Sequence, residues 1–258
     1  MSHPAGPPPV VAQPGPVMQQ QMVAMPPPPP VPGCPPGLEY LAQLDQVMVE
    51  QEVHMLEVLT GFEVKNKFRI MNSQNQQVYY AAEESGTLMR ICCGPSRGFV
   101  YHITDNFNQE VLRVRRDFRC CTGCTCCGCE SCRYYAVIED RNGETLGYVS
   151  NLVFCCKPLF GIFDTKQELV AQIRGPCCPI QAVCCTADVD FPVVELANGG
   201  HIGTLSKVWP GFLKESFTKA DNFRVTFPIS LDVKQKALMI AAVFIVDMMV
   251  YEVQKKNH

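Results

Sequence analysis

The sequence predicts an all-β fold with a central helix: a closed antiparallel barrel of about twelve strands around a hydrophobic C-terminal helix, preceded by a disordered proline-rich arm. Three observations predict it. Six hairpin-like units follow one another at roughly 30-residue spacing. No helical pattern lies between these units, and a single wholly apolar run of 14 residues comes near the end of the chain.

The predicted arm is residues 1–36, and the barrel domain is residues 37–258. The arm holds 14 of the 21 prolines, and residues 1–38 contain no Asp, Glu, Lys or Arg. Proline supplies no amide hydrogen and the arm has no periodic apolar face, so we expect polyproline II structure or disorder. SH3 and WW domains bind such segments. A solvated linker is the favoured alternative, because no flanking Arg or Lys is present to orient an SH3 complex.

After the arm, Leu41, Leu44, Met48 and Met55 recur at about helical spacing. This spacing predicts a short helix within residues 38–59. The barrel is then expected to run from Phe62 to Asp232.

Each hairpin consists of alternating apolar residues, a turn rich in Asp, Asn or Gly, and a second alternation. The first five pair residues 68–70 with 78–80, 100–103 with 111–112, 135–137 with 146–149, 161–163 with 169–170, and 191–193 with 202–205. Residues 223–227 open the sixth unit. Closure into a barrel is expected because it removes exposed strand edges.

Residues 237–250 are apolar around the whole helical circumference except at Asp247. A helix of this kind is buried in protein or in lipid. Because a bilayer span needs about 20 apolar residues, the run predicts a plug inside the barrel. A single-pass transmembrane anchor is the alternative.

Composition narrows the function classes. The formal net charge of −3 argues against a domain built to neutralise nucleic-acid phosphates. The five histidines are scattered, and no G-x-S-x-G, P-loop or H-E-x-x-H pattern occurs, which argues against an enzyme. The N-terminus has no secretory signal pattern, so the 16 cysteines are expected to be cytosolic thiols.

The densest group of functional side chains is a cysteine cluster that directly follows four arginines. Seven cysteines lie within residues 120–132, after Arg113, Arg115, Arg116 and Arg119. The overlapping C-x-x-C spacings are compatible with zinc or an iron–sulfur cluster. S-acylation is favoured, because an acyl chain combined with cations facing anionic headgroups gives a two-signal attachment. Each basic residue near an anionic membrane surface strengthens binding by about 1 kcal/mol, so we predict headgroup contacts for the four arginines.

Several ordered blocks carry a resemblance to a known family. They are residues 35–41, 56–63, 92–97, the cysteine cluster, 175–177, 220–223, 227–228 and 231–234. Together they closely resemble the phospholipid scramblase family from about residue 35 to the end of the chain. The resemblance implies a tubby-like barrel around the C-terminal helix. It also implies calcium-activated, ATP-independent, bidirectional movement of phospholipids across the plasma membrane.

The resemblance further implies palmitoylation and attachment at the cytoplasmic face of that membrane. The family's palmitoylated cluster corresponds here to five cysteines, Cys120, Cys121, Cys124, Cys126 and Cys127.

The family's proposed calcium loop corresponds to residues 219–230 and usually has carboxylates at its first and last positions. Those positions hold Lys219 and Ser230 here, so the candidate calcium ligands are Asp221, Asn222 and Asp232. Calcium affinity rises with the number of carboxylate ligands, so we predict weak binding at best. An ordinary strand with Asp221 and Asn222 in its turn explains the segment equally well.

Three functions follow from these patterns. The first is a lipid-translocating scramblase. The second is a palmitoylated peripheral scaffold that binds lipid or protein without moving lipid. The third is a metal-binding or transcription-associated module that uses the cysteine cluster.

Overall fold

The computed structural model describes residues 23–52, 66–93, 96–118, 133–152, 157–176, 187–209 and 221–252. Within these residues, twelve strands form one closed antiparallel barrel, in which β1 pairs with both β2 and β12. The strands are β1 Gln46–Gln51, β2 Lys67–Met71, β3 Gln77–Glu84, β4 Phe99–Thr104, β5 Glu110–Arg116, β6 Tyr135–Asp140, β7 Thr145–Asn151, β8 Leu159–Phe163, β9 Leu169–Arg174, β10 Val189–Glu195, β11 His201–Lys207 and β12 Asn222–Thr226. The helices are a 3-10 helix Glu39–Gln43, α1 Thr87–Cys93, α2 Val233–Val246 and a π-helical turn Asp247–Glu252. The predicted barrel fold is confirmed.

The five predicted hairpins are confirmed, and several of their turns are built in the same way. The Asp105 carboxylate accepts hydrogen bonds from the amides of Phe107 at 2.8 Å and Gln109 at 2.9 Å. Asn72, Asp140 and Asp164 accept the equivalent pairs of amide bonds in their own turns. An acceptor side chain that satisfies the amides two and four residues ahead fixes a tight turn between adjacent strands.

Only the first part of residues 38–59, where a short helix was predicted, is helical, and the predicted helical face through Met48 is wrong. The 3-10 helix covers Glu39–Gln43, and the chain then becomes strand β1, in which Val47 and Val49 are fully buried. Residues 53–59 lie outside the described part. The sixth predicted unit had only one strand, β12. Strand β1 is its partner, and this pairing closes the barrel. The barrel therefore begins at Gln46 and not at Phe62.

Helix α2 lies inside the barrel, as the plug prediction required. It begins at Val233, four residues before the predicted start, because the Asp232 side chain accepts hydrogen bonds from the amides of Lys234 and Gln235. All of its residues from Lys236 to Val246 are buried. None of the helices in the described ranges has the length and apolar character needed to cross a membrane. The burial of residues 237–250 inside the barrel favours the plug over the single-pass anchor.

The described contacts of the arm begin at Val23, before the predicted boundary at residue 36. The Met25 amide donates to the Gln77 carbonyl, and the Gln77 amide donates to the Val23 carbonyl, both at 2.9 Å. Met25, Pro28 and Val31 are half-buried, whereas the residues between them are exposed. This three-residue period is that of a polyproline II helix, which can pack one face on the barrel without donating from its prolines.

Candidate functional site

The two ends of the barrel differ in their connections, because antiparallel pairing places consecutive connections alternately at opposite ends. The turn end carries residues 72–76, 105–109, 141–144, 164–168, 196–200 and 227–232, together with the 3-10 helix. The loop end carries residues 52–66, 85–98, 117–134, 152–158, 175–188 and 208–221. Helix α2 enters at the turn end, and the π-helical turn that follows it reaches the loop end, where Glu252 pairs with Arg97.

By sequence, 15 of the 16 cysteines belong to the segments that connect strands at the loop end, and Cys34 is the exception. Of these 15, the structure describes Cys92 and Cys93. The predicted acylation sites, Cys120, Cys121, Cys124, Cys126 and Cys127, belong to the connection between β5 and β6, and they lie outside the described residues. Cys92 and Cys93 end helix α1 as free thiols, the first exposed and the second half-buried.

Two of the predicted headgroup arginines lie on the outer face of β5. Arg113 donates through Nε and Nη2 to the Glu110 carboxylate at 2.7 and 3.0 Å. These hydrogen bonds raise the pKa of Arg113, and they also lower the pKa of Glu110. Arg115 donates to Asp117 at 2.9 Å and to Glu139 at 3.5 Å. Both arginines are accessible, but each has a carboxylate partner, and their contact with headgroups stays a prediction.

Arg116 is placed differently from Arg113 and Arg115. It is only 3% exposed, and its guanidinium carbon lies 3.2 Å from the centre of the Tyr134 ring. Its Nη1 donates to the Arg97 carbonyl at 2.8 Å. Strand alternation turns this side chain inward, so Arg116 packs in the interior near the loop end. It does not lie on the outer surface, where contact with a headgroup would take place. Arg119 lies outside the described residues.

The three candidate calcium ligands do not come together. Asp221 and Asn222 lie at the loop end, whereas Asp232 lies at the turn end. The five residues of β12 separate the two groups by about 17 Å, at about 3.3 Å per residue. Asp232 is already used as the N-cap of α2, so these residues do not share one cation.

The surroundings of Asp221 also do not fit calcium. Its carboxylate forms an ion pair with the Lys207 ammonium. Lys207 Nζ lies 4.6 Å from the centre of the Phe223 ring and 4.5 Å from that of Tyr251, so a fixed cation already occupies this position. Across the described ranges, no group of three or more His, Cys, Asp or Glu is arranged to hold a metal ion. A calcium response therefore stays a prediction that these residues do not support.

The loop end contains a buried ion network that the sequence reading missed. Arg97 is fully buried and donates to Glu83 at 2.8 and 3.1 Å, and to Glu252 at 2.5 and 3.2 Å. Burial acts to lower the pKa of Arg97, but the hydrogen bonds and charge of Glu83, together with Glu252, outweigh it and raise this pKa. The signal was present in β3, where Tyr79, Ala81 and Glu83 alternate as inward-facing residues. A carboxylate at an inward position requires a buried partner.

The turn end is closed by a second buried cation. Lys236 Nζ donates to the carbonyls of Leu41 at 2.9 Å, Leu44 at 2.8 Å and Ile229 at 2.8 Å. These bonds join α2 to the 3-10 helix region and to the connection after β12. The sequence reading missed Lys236 because it began the helix one residue later, at Ala237.

Comparison with known proteins identifies the family. A family model described as Scramblase matches residues 25–253. The chain belongs to the scramblase family. Human phospholipid scramblase 1 is 47% identical over 220 residues, which cover 85% of this chain and 67% of that protein. Bovine phospholipid scramblase 2 is 44% identical over 223 residues, covering 86% of this chain and 73% of that protein. Human phospholipid scramblase family member 5 is 40% identical over 219 residues, covering 84% of this chain and 78% of that protein.

The family assignment confirms the resemblance carried by the sequence blocks. The matched region, residues 25–253, includes Met25, whose amide donates to the Gln77 carbonyl of β3. In this scramblase-family chain, the match therefore includes residues 25–36 of the proline-rich strap, which is formed by residues 23–36.

Proposed function

We propose that this protein mediates ATP-independent, bidirectional movement of phospholipids between the leaflets of a membrane with which it associates. The observation that carries this proposal is its 47% identity, over 85% of the chain, with a protein named phospholipid scramblase 1. Moving a lipid between leaflets forms and breaks no covalent bond. The function therefore needs no nucleophile or general base, and we do not assign one.

The filled barrel limits the route that a lipid can take. In the part of the chain that the structure describes, Phe68, Ile70, Phe223 and Phe244 are fully buried in one continuous apolar core. A charged headgroup transferred into such a core would lose its hydration without gaining partners. We therefore infer that lipids move along the outside of the barrel or through bilayer that the barrel perturbs.

The same observation favours a second candidate, the palmitoylated peripheral scaffold, because a barrel without an internal route is compatible with lipid binding alone. Reconstitution of the full chain into liposomes separates the two. Outer-leaflet accessibility of a fluorescent phospholipid is measured with and without calcium. Scrambling predicts that label from both leaflets becomes accessible, whereas a scaffold predicts vesicle binding with only the outer half accessible.

We further propose that the chain is held at the cytoplasmic face of the plasma membrane by acylation. One acyl chain anchors a protein only marginally, and basic residues alone are weakened by salt. Replacing the five cysteines by serine should release the protein from cell membranes and abolish hydroxylamine-sensitive labelling. Retention without a labelled thioester would contradict acylation, and zinc found by metal analysis would favour the metal-binding alternative. The replaced positions are Cys120, Cys121, Cys124, Cys126 and Cys127.

For calcium, we propose binding in the millimolar range or weaker. The Lys207 pairing of Asp221 and the N-cap role of Asp232 support this expectation. Trp209 is the only tryptophan, so its fluorescence can report a calcium titration. Micromolar binding that Asp221→Ala abolishes would contradict the proposal. Tighter binding by the variant that combines Lys219→Asp with Ser230→Asp would support it.

The described part of the arm supports a further proposal about partners. Pro26, Pro27, Pro29, Pro30 and Pro32 are exposed on the strap. A preformed polyproline II helix is the form that SH3 and WW domains bind. Binding of purified domains to the full chain, compared with a chain in which these exposed prolines are alanine, tests this proposal.

A further inference from the structure

We propose that the loop end of the barrel faces the membrane, and that Leu88 of α1 and Phe118 after β5 enter the interfacial layer of an anionic bilayer. This inference rests on the proposed membrane function. It adds which end of the barrel faces lipid and which side chains make the contact.

The first observation is the exposed apolar surface at the loop end. Leu88 is 77% exposed and Phe118 is 45% exposed. Cys92 is also exposed and lies four residues after Leu88 on α1, so the two share one face of that helix. A Cβ atom at Gly98 would lie 2.8 Å from the Phe118 amide nitrogen, so the connection that contains α1 packs directly beside Phe118.

Exposed apolar residues alone do not choose an end, because Phe107, Ile229 and Leu196 at the turn end are 63%, 62% and 44% exposed. Isolated surface hydrophobics are common in soluble proteins. The choice therefore depends on charge and on the neighbouring sequence.

Charge favours the loop end. With the adjoining first turn of α2 included, the turn end holds seven acidic residues and four basic ones, namely Glu39, Asp45, Asp105, Glu144, Asp164, Glu168 and Asp232 against Arg141, Lys166, Lys234 and Lys236. With Glu252 of the π-helical turn included, the described residues of the loop end hold five acidic residues and four basic ones, namely Glu52, Asp117, Asp188, Asp221 and Glu252 against Arg90, Arg97, Arg133 and Lys157. An anionic leaflet repels the turn end, at about 1 kcal/mol per charge near the surface.

Sequence continuity favours the same end. Phe118 lies two residues before Cys120, the first of the predicted acylation sites. Acyl chains carried by that connection would enter the bilayer from the end of the barrel that presents Phe118. The same end would then supply apolar side chains and lipid anchors to one surface, which fits a bilayer better than a protein groove.

The test compares two matched pairs of substitutions in the full chain. One pair is Leu88→Ser with Phe118→Ser at the loop end, and the control pair is Phe107→Ser with Ile229→Ser at the turn end. Partition onto vesicles of phosphatidylcholine and phosphatidylserine is measured by sedimentation, with thermal melting as a check of folding. Loss of two apolar side chains from the interface should weaken partition roughly tenfold, and the control pair should change it less than about twofold.

A second readout uses Trp209, which lies in a loop-end connection. Vesicles that contain brominated phospholipid should quench its fluorescence in the unmodified chain and in the control pair, and quench it less in the loop-end pair.

Weaker partition by the control pair alone would overturn the inference in favour of the turn end. Unchanged partition by both pairs would overturn it while leaving the proposed function intact. If the unmodified chain moves no lipid and binds no vesicles, the proposed function fails as well. If partition is unchanged but Leu88 and Phe118 are needed to bind another protein, the surface is a protein-docking site and the inference is wrong.

Discussion

Replacing Arg97 by methionine tests the ion network that joins the end of the plug to the wall of the barrel. The substitution keeps most of the side-chain volume and removes all four hydrogen bonds to Glu83 and Glu252. Glu83 is fully buried and keeps polar neighbours such as Asn66, whose Nδ2 donates to it at 2.8 Å. Glu252 is partly exposed and can regain water.

The expected loss of stability follows from this difference in burial between Glu83 and Glu252. Removing one partner of a buried ion pair costs about 3–5 kcal/mol, because the remaining charge is left in a poor solvent. Most of that loss should come from Glu83, so the double variant Arg97→Met with Glu83→Gln should recover part of it. Glu252→Gln alone should cost less, about 1–2 kcal/mol, because its side chain reaches solvent.

Urea unfolding monitored by far-UV circular dichroism measures the loss. The free energy of unfolding of Arg97→Met should fall by about 3–5 kcal/mol at pH 7 with an unchanged dependence on urea. Without its counter-charge, the buried Glu83 carboxyl should have a folded-state pKa above its unfolded value of about 4.3. A raised folded pKa of an acid destabilises the fold above the unfolded pKa, so the deficit should shrink as the pH falls towards 4. A loss below about 1 kcal/mol, or one independent of pH, would refute the reasoning.

Three further outcomes are expected. Gly203→Ala should destabilise the barrel by about 2 kcal/mol or more in thermal melts, because a Cβ there would lie 2.2 Å from the Thr226 carbonyl oxygen. Gly143→Ala, where φ is also positive but nothing lies within 4 Å, should cost only about 1–2 kcal/mol. Lys236→Met should cost about 3 kcal/mol or more in urea unfolding, because three buried carbonyls lose a charged donor. Burial raises the pKa of the Cys34 thiol to about 11, so peptide mapping after maleimide labelling at pH 8 should find exposed Cys92 modified well before Cys34.

The parts of the fold that could be predicted were those in which partner strands are close in sequence. The five hairpins were recognisable because a turn such as that at Asp105 joins two neighbouring alternations. Strand β1 was misread because its partner β12 lies near the other end of the chain, where no turn signal links them. Met48 on the outer face of β1 also blurred the alternation of Val47 and Val49 and imitated a helical spacing.

The sequence could predict which types of residue form the candidate sites, but not where in the fold those residues lie. Arg113 and Arg116 look equivalent in a basic run, yet one lies on the outer face of β5 and the other is buried under Tyr134. Asp221 and Asp232 are close in sequence, but β12 places them at opposite ends of the barrel. Sequence proximity suggests a shared site only when the intervening residues turn back, and here they form a straight strand.

The same geometry predicts that the plug stays in the barrel when the protein meets a membrane. Seven large apolar side chains of α2 are buried, namely Leu238, Met239, Ile240, Val243, Phe244, Ile245 and Val246. At about 1.5–3 kcal/mol for each, their exposure would cost roughly 10–20 kcal/mol, which matches or exceeds the whole stability of an ordinary domain, about 5–15 kcal/mol. The helix therefore does not leave the barrel for water, and moving it into lipid would leave the apolar residues that line the barrel, such as Phe68 and Phe223, without cover. Hydrogen–deuterium exchange should show the amides of α2 among the slowest in the protein, with the same protection before and after vesicles are added. Loss of protection in α2 on vesicle addition, with the strands still protected, would show that lipid extracts the helix and that burial in the barrel is only one of its two states.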